Sequence, residues 1–162
     1  MARTRVETRA RARVLQALYA WDLRGQTGLD RVASQVWDDL AVPAEERRLA
    51  GLLVRTVVSS GRAIDDELAE VTTNWRLERL GAVERSVLRL AAAELLRGET
   101  PPRVVIQEAV RLAERYGSAQ SARFVNGVVD ALARRMGRLA ERGTEGQARR
   151  ATRGARRGPP HV

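Results

Sequence analysis

Apolar residues recur at the spacing of amphipathic α-helices along most of this chain, and no segment shows the strict alternation of a half-buried strand. Residues 101–132 show the pattern most clearly and predict two helices that separate at Gly117. The second of these helices contains Asn126 and Gly127, although both weaken a helix interior, glycine by about 1 kcal/mol relative to alanine. We therefore expect a compensating interaction, of which close approach of another helix at Gly127 is favoured.

The same spacing predicts an all-α fold of about seven helices joined by short connections, arranged as two packed subdomains. The expected helices cover residues 4–23, 30–40, 43–71, 75–80 (a short helix or turn), 82–96, 101–116 and 118–136. Asp30 and Ser118 are expected to act as N-caps, because their side chains can accept a backbone hydrogen bond. The helical domain spans residues 1–137, with subdomains at about 4–72 and 73–137.

Composition excludes several classes of function. The chain of 162 residues has no cysteine, and its one histidine is His161, so neither a thiolate metal site nor a histidine base is expected in the helical body. Phosphate-binding glycine loops and membrane-spanning apolar runs are also missing. Glu108 and Glu114 occupy positions expected to face solvent. We predict a cytoplasmic protein with no enzymatic activity, metal or cofactor.

Positive charge is concentrated at the two ends of the sequence. All 29 basic residues are arginine, a bias that a GC-rich genome also produces. Residues 1–13 hold five arginines and one glutamate, and residues 138–162 hold seven arginines and two glutamates; these segments account for the whole net charge of +9. This distribution indicates a polyanionic partner such as RNA. Residues 138–162 are rich in Gly, Arg, Thr and Pro, which predicts a disordered tail.

Three groups of residues resemble the NusB family of bacterial transcription antitermination factors. They comprise residues 9–11, 16–19 and 21; residues 83–91 and 94–95; and residues 106–110, 112–113, 116–117, 121 and 124–130, the last reading Phe-Val-Asn-Gly-Val-Val-Asp. The resemblance extends over about residues 5–136. It implies a helical fold, binding of boxA-type single-stranded leader RNA from ribosomal RNA operons, and a heterodimer with NusE, the small-ribosomal-subunit protein. It also implies a place in the RNA polymerase antitermination complex and no catalysis.

The resemblance places the first RNA contacts on the amino-terminal helix. Arg9 and Arg11 match the family's basic helix start, and Arg5 and Arg13 extend it in kind. All four would bind phosphates or stack on bases; a solvated arginine-rich terminus is the alternative. Gln16 and Tyr19 follow on the same helix. The ring of Tyr19 suits either base stacking or half-buried packing.

The remaining RNA contacts are expected at the start of the last helix. Phe124, the only phenylalanine, suits either a core edge or an RNA-facing aromatic. Asn126 could bind a base edge, although support of helix packing is favoured. Gln120 stands where relatives can carry an acid, so its neutral side chain should favour RNA. This proposal requires the first and last helices to lie side by side.

The resemblance also suggests a protein-binding surface at Glu78, Glu84 and Arg85, in the region where the family meets NusE; an ordinary helix start is the alternative. Two other functions remain open: a helical interaction module without a specific RNA target, and a detached RNA-binding domain of an RNA methyltransferase. A homodimer that covers the RNA face is a further possibility.

Overall fold

The computed structural model describes residues 2–25 and 28–140, with side chains from residue 5 onwards. It contains six α-helices and one 3-10 turn, and these described residues form no strand. The elements are α1 (Ala2–Leu23), α2 (Leu29–Asp39), α3 (Ala44–Val71), the 3-10 turn (Leu77–Arg79), α4 (Ala82–Arg97), α5 (Pro102–Tyr116) and α6 (Ala119–Arg135). The all-α prediction is confirmed, with six α-helices instead of about seven because the short segment after α3 forms only the 3-10 turn.

The helix ends follow the sequence signals in most places. The hydroxyl of Ser118 accepts a hydrogen bond from the backbone N–H of Ser121, so the predicted cap of α6 is confirmed. The predicted cap of α2 is wrong: Gly28 occupies the cap position and Asp30 lies within the first turn. Helix α2 begins at Leu29, two residues before the start that a cap at Asp30 would give, and the side chain of Leu29 is buried. Asp30 still lies near the positive end of the helix dipole.

Helix α4 forms the centre of the fold. It packs against α1, α3, α5 and α6, and every residue from Ser86 to Leu95 is buried. Three consecutive alanines, Ala91 to Ala93, let the neighbouring helices approach closely on several sides. A helix that is buried all round lies within the core. The other helices are therefore placed relative to α4.

The first and last helices do not pack along one another, contrary to the expectation from the sequence. Helix α1 packs against α2, α3 and α4, whereas α6 packs against α5, α4 and α3. The first turn of α4 connects them, because Arg85 binds Asp22 near the end of α1 and Glu84 accepts a hydrogen bond from Ser121 in α6. A surface shared by the end of α1 and the start of α6 passes over the start of α4.

Gly127 does not mediate close packing, so that prediction is wrong. The residue is exposed, and a Cβ atom built on it meets nothing within 4 Å. The buried residues of α6 include Val125, Val128 and Val129, so Gly127 lies off the core face of the helix. Gly127 makes no packing contact that would offset the helix stability lost relative to alanine.

The carboxyl-terminal boundary also differs from the prediction. Arg138 was expected in a disordered tail, but its backbone N–H donates to the carbonyl of Ala133, and its guanidinium donates to the carbonyl of Leu96 over 3.4 Å. Leu139 packs partly against the core. Residues 138–140 therefore belong to the helical body. The rest of the predicted tail, residues 141–162, lies outside the described residues.

A charge placed in the core face of α6 should unfold the domain. We expect Val128→Asp to lower the free energy of unfolding by about 3 kcal/mol or more, because an unpaired carboxylate would be buried. Gly127→Ala, at the preceding position, is the matched control. It should raise the free energy of unfolding by about 0.5–1 kcal/mol, since alanine favours the helix and its Cβ meets no neighbour. Thermal unfolding followed by circular dichroism measures both. A normal melting temperature for Val128→Asp would contradict the helix register.

The ion pair between α1 and α4 should make stability depend on acid pH. The hydrogen bond from Arg85 holds the pKa of Asp22 below its ordinary value, with the charges of Arg85 and Arg89 acting in the same direction. Since the pKa is lower in the folded state, this contribution is complete above the unfolded pKa of about 4 and is lost as pH falls through the folded value.

We therefore expect Asp22→Asn to be less stable than the parent protein at neutral pH, and the difference to shrink below about pH 4. Denaturant unfolding between about pH 7 and pH 2 measures it. The exposed Asp39→Asn is the control. A stability difference for Asp22→Asn that stays constant across this range would show that the carboxylate charge does not hold α1 on α4.

Candidate nucleic-acid interface

One face of α1 carries the accessible polar residues. Arg5, Arg9, Gln16 and Tyr19 fall within about 80° of one another around the helix axis, at 100° per residue. Arg5, Arg9 and Tyr19 are exposed, and Gln16 is partly buried. The opposite face carries buried hydrophobic residues, including Val14 and Leu18. The structure therefore presents a continuous polar stripe along α1.

Two arginines of this region are paired with one buried carboxylate. Arg13 Nε lies 3.0 Å from Glu46 Oε2, and Arg9 Nη1 lies 3.9 Å from Glu46 Oε1. Arg13 also donates to the amide oxygen of Gln16 over 3.3 Å. The indole N–H of Trp37 donates to the backbone carbonyl of Arg13, which fixes α1 against α2. Arg13 is therefore held by the protein, while Arg9 keeps 67% of its side chain exposed.

The expected RNA contact at Arg11 needs correction, because its side chain is buried. Its guanidinium donates to both carboxylate oxygens of Glu94 on α4, at 2.8–3.0 Å. Burial lowers the pKa of Arg11, but hydrogen bonding and the charges of Glu94, Glu108 and Glu7 outweigh it, and the pKa is raised overall. A buried arginine–carboxylate pair with hydrogen bonds to both carboxylate oxygens holds two helices together. Arg11 is not available to phosphate in this structure.

Glu108 also differs from the prediction, which placed it on the solvent face. Its carboxylate is buried and accepts a long hydrogen bond of 3.4 Å from the hydroxyl of Thr8, with Arg111 at 3.7 Å. Its second oxygen has no hydrogen-bond partner among the described residues. Glu108 thus lies under the amino-terminal half of α1, and only Glu114 of the pair is exposed.

The start of α6 carries a second accessible group. Gln120 and Asn126 are exposed, so the favoured role of Asn126 in helix packing is wrong and its amide can reach a ligand. Phe124 is half-buried: it packs against the core, and its ring meets that of Trp75 edge to face, with centroids 6.3 Å apart and planes at 76°. Phe124 therefore combines the two interpretations, a core edge with a ring at the surface.

Trp75 lies beside Phe124 but was not among the predicted site residues. Its side chain is 60% exposed, and it borders an open cavity of about 400 Å³ together with Phe124, Gln120, Arg79 and Glu84. Exposed tryptophan beside an arginine is typical of surfaces that bind unpaired bases. The signal was present as a lone tryptophan in the polar connection Thr-Thr-Asn-Trp-Arg after α3.

The residues expected to bind a protein partner have different roles in the structure. Arg85 is used internally, because it binds Asp22 and donates to the carbonyls of Leu77 and Leu80 at 3.1 and 2.7 Å. Its role as a direct partner contact therefore needs correction. The carboxylate of Glu84 accepts the hydrogen bond from Ser121, whereas Glu78 is exposed.

Glu78 borders a larger cavity of about 770 Å³ that also includes Asp22, Asp65 and Asp66. This cavity is lined by more carboxylates than the one at Phe124. Within residues 2–25 and 28–140, no group of three side chains has the composition of a metal site, and no helix is long and apolar enough to cross a membrane.

Comparison with known proteins gives one consistent result. The model of the NusB family matches residues 8–134. The transcription antitermination protein NusB of Anaeromyxobacter dehalogenans strain 2CP-1 is 49% identical over 127 residues, which cover 78% of this chain and 89% of the relative.

Solved structures agree with this match. NusB of T. maritima superimposes with a TM-score of 0.73 at 33% identity, over 79% of this chain and 90% of that one. A crystal structure of the antitermination factors NusB and NusE in complex with double-stranded RNA superimposes with a TM-score of 0.69 at 32% identity, over 82% and 97% of the two chains. The sequence match, the helix order and the superposition together establish that this chain belongs to the NusB family.

Proposed function

We propose that this chain is a non-catalytic transcription antitermination factor that binds boxA-type single-stranded leader RNA of ribosomal RNA operons together with NusE. It would act in the cytoplasm, within the antitermination complex of RNA polymerase. Relatives bear the name transcription antitermination protein, and a NusB superimposable on this chain was crystallised with NusE and RNA. Both facts support the proposal.

The observation that carries the proposal is that exposed cationic and aromatic side chains occur on α1 and on the connection after α3: Arg9, Tyr19 and Trp75. Proteins that bind single strands use this combination, because cationic side chains contact the phosphates and aromatic rings stack on bases.

Each accessible residue has a role in this proposal. Arg5 and Arg9 neutralise phosphates, and Tyr19, Trp75 and the exposed edge of Phe124 offer surfaces to unstacked bases. The amides of Gln120 and Asn126 can donate to and accept from base edges, which supplies sequence preference. Arg13 and Gln16 border the surface and hold its geometry through their mutual hydrogen bond. Arg11 stabilises α1 on α4 instead of touching RNA.

We propose that NusE binds at the cavity beside the 3-10 turn, which is lined by four carboxylates and by Arg76, Arg85 and Arg89. Asp22 and Asp65 are paired with Arg85 and Arg89, whereas the exposed carboxylates of Asp66 and Glu78 suit a basic ribosomal protein. Glu84 and Arg85 support this surface indirectly, because they fix the first turn of α4 that forms one edge of it. The RNA and protein surfaces then meet at Trp75, which borders both cavities.

The direct test measures binding of boxA-type RNA and of a scrambled RNA of equal composition, each with and without NusE. We expect tighter binding of the boxA-type RNA and a further gain when NusE is present. Equal affinities for the two RNAs in both settings would reject the sequence-specific function.

Arg9 should contribute to phosphate binding without contributing to the fold. We expect Arg9→Ala to weaken RNA binding several-fold and to reduce the slope of log affinity against log salt by about 0.7, the value for one phosphate of a single strand. Arg31→Ala, which removes an exposed arginine on α2, is the matched control and should have a much smaller effect. An unchanged slope for Arg9→Ala would show that Arg9 does not contact phosphate.

Trp75 should stack on a base. We expect Trp75→Leu to weaken RNA binding by about 1–3 kcal/mol while the melting temperature changes little, because the ring is largely exposed. Trp75→Phe keeps an aromatic ring and should retain most of the affinity. Titrations at one salt concentration measure both variants. If the Trp75→Leu variant binds RNA as tightly as the unaltered protein does, the cavity beside Phe124 does not bind a base.

A further inference from the structure

The carboxylate of Glu46 lies beneath two arginines of the polar stripe on α1. Glu46 belongs to the first turn of α3, and only 6% of its side chain is exposed. A carboxylate at this end of a helix is favoured by the helix dipole. A buried anion directly below a proposed phosphate-binding surface is unexpected, because it competes with phosphate for the same arginines.

The two arginines contact Glu46 unequally. Arg13 is 3.0 Å away with 25% of its side chain exposed, whereas Arg9 is 3.9 Å away with 67% exposed. Arg13 is also fixed through its hydrogen bond to Gln16. Because Arg13 alone can neutralise Glu46, Arg9 can leave the carboxylate without exposing an unpaired buried charge. Arg9 is therefore the exchangeable member of the cluster.

We infer that Glu46 is an internal competitor for RNA phosphate, which holds Arg9 until a phosphate group displaces it. This inference rests on the proposed function and adds to it a residue that sets how strongly the polar stripe attracts polyanions. Arg9, Arg13 and the Glu46 carboxylate together carry a net charge of +1. Without the carboxylate charge, the two arginines carry +2. Glu46 therefore lowers the affinity for any RNA backbone, and the boxA-type RNA must gain its advantage from base contacts.

The test compares Glu46→Gln with Glu45→Gln in the full chain. Both variants raise the net charge by one, and the two residues are neighbours in the first turn of α3, but Glu45 is exposed. We expect Glu46→Gln to bind both boxA-type and scrambled RNA about 3- to 10-fold more tightly, with a salt slope steeper by up to about 0.7. Glu45→Gln should change affinity less than about twofold.

Two results would overturn the inference. Equal gains for the two variants would mean that only total charge matters, and weaker binding by a folded Glu46→Gln would mean that Glu46 positions the arginines for RNA. The melting temperature reports folding. If Glu46→Gln does not fold, NMR of the arginine Nε–H groups in the unaltered protein decides: on addition of RNA the Arg9 signal should move and the Arg13 signal should remain. Movement of both or of neither contradicts the inference.

The same data separate this inference from the proposed function. If boxA-type and scrambled RNA bind equally, the sequence-specific function fails, and the difference between the two glutamine variants on scrambled RNA still decides the role of Glu46. If boxA-type RNA is preferred but the two variants behave alike, only the inference fails. If no form of the protein binds RNA, both are rejected.

Discussion

The structure depends on the ion pairs through which the buried helix α4 holds α1. Arg11 meets Glu94 near the middle of α1, and Asp22 meets Arg85 near its end. The two α1 positions are eleven residues apart, or about 16 Å along the helix axis. Two such contacts fix both the tilt and the rotation of α1. They decide which of its arginines face the core and which, such as Arg9, face solvent.

This fixed rotation places closely spaced arginines in different environments. Arg9 and Arg11 are separated by about 200° around the helix, so they cannot contact the same side of one RNA strand. Arg11 stabilises the fold through a buried pair, and removing either partner of such a pair leaves an unpaired charge that costs about 3–5 kcal/mol. An RNA-binding assay on Arg11→Ala would therefore report loss of structure, whereas the same change at Arg9 reports on the surface.

The sequence predicted the helices well because their spans follow from local patterns: apolar spacing, prolines before α3 and α5, and Ser118 before α6. It could not predict contacts between distant residues. Nothing near Arg11 or Glu108 in the sequence indicates burial, since each is covered by residues far away in the chain. For Tyr19 and Phe124 the sequence left both packing and base stacking open, and Trp75 was not identified because its ring contacts Phe124, which is far away in the chain.

The number of arginines in the amino-terminal segment is therefore larger than the number that can bind phosphate. Of the arginines in α1 whose side chains are described, Arg11 is neutralised by Glu94 and Arg13 by Glu46, which leaves Arg5 and Arg9 as the accessible charges. Two phosphate contacts give only a modest, salt-sensitive affinity. Under the proposed function, base contacts at the start of α6 would then supply much of the binding energy. That division would make recognition depend on the sequence of the RNA, since phosphate contacts carry no sequence information.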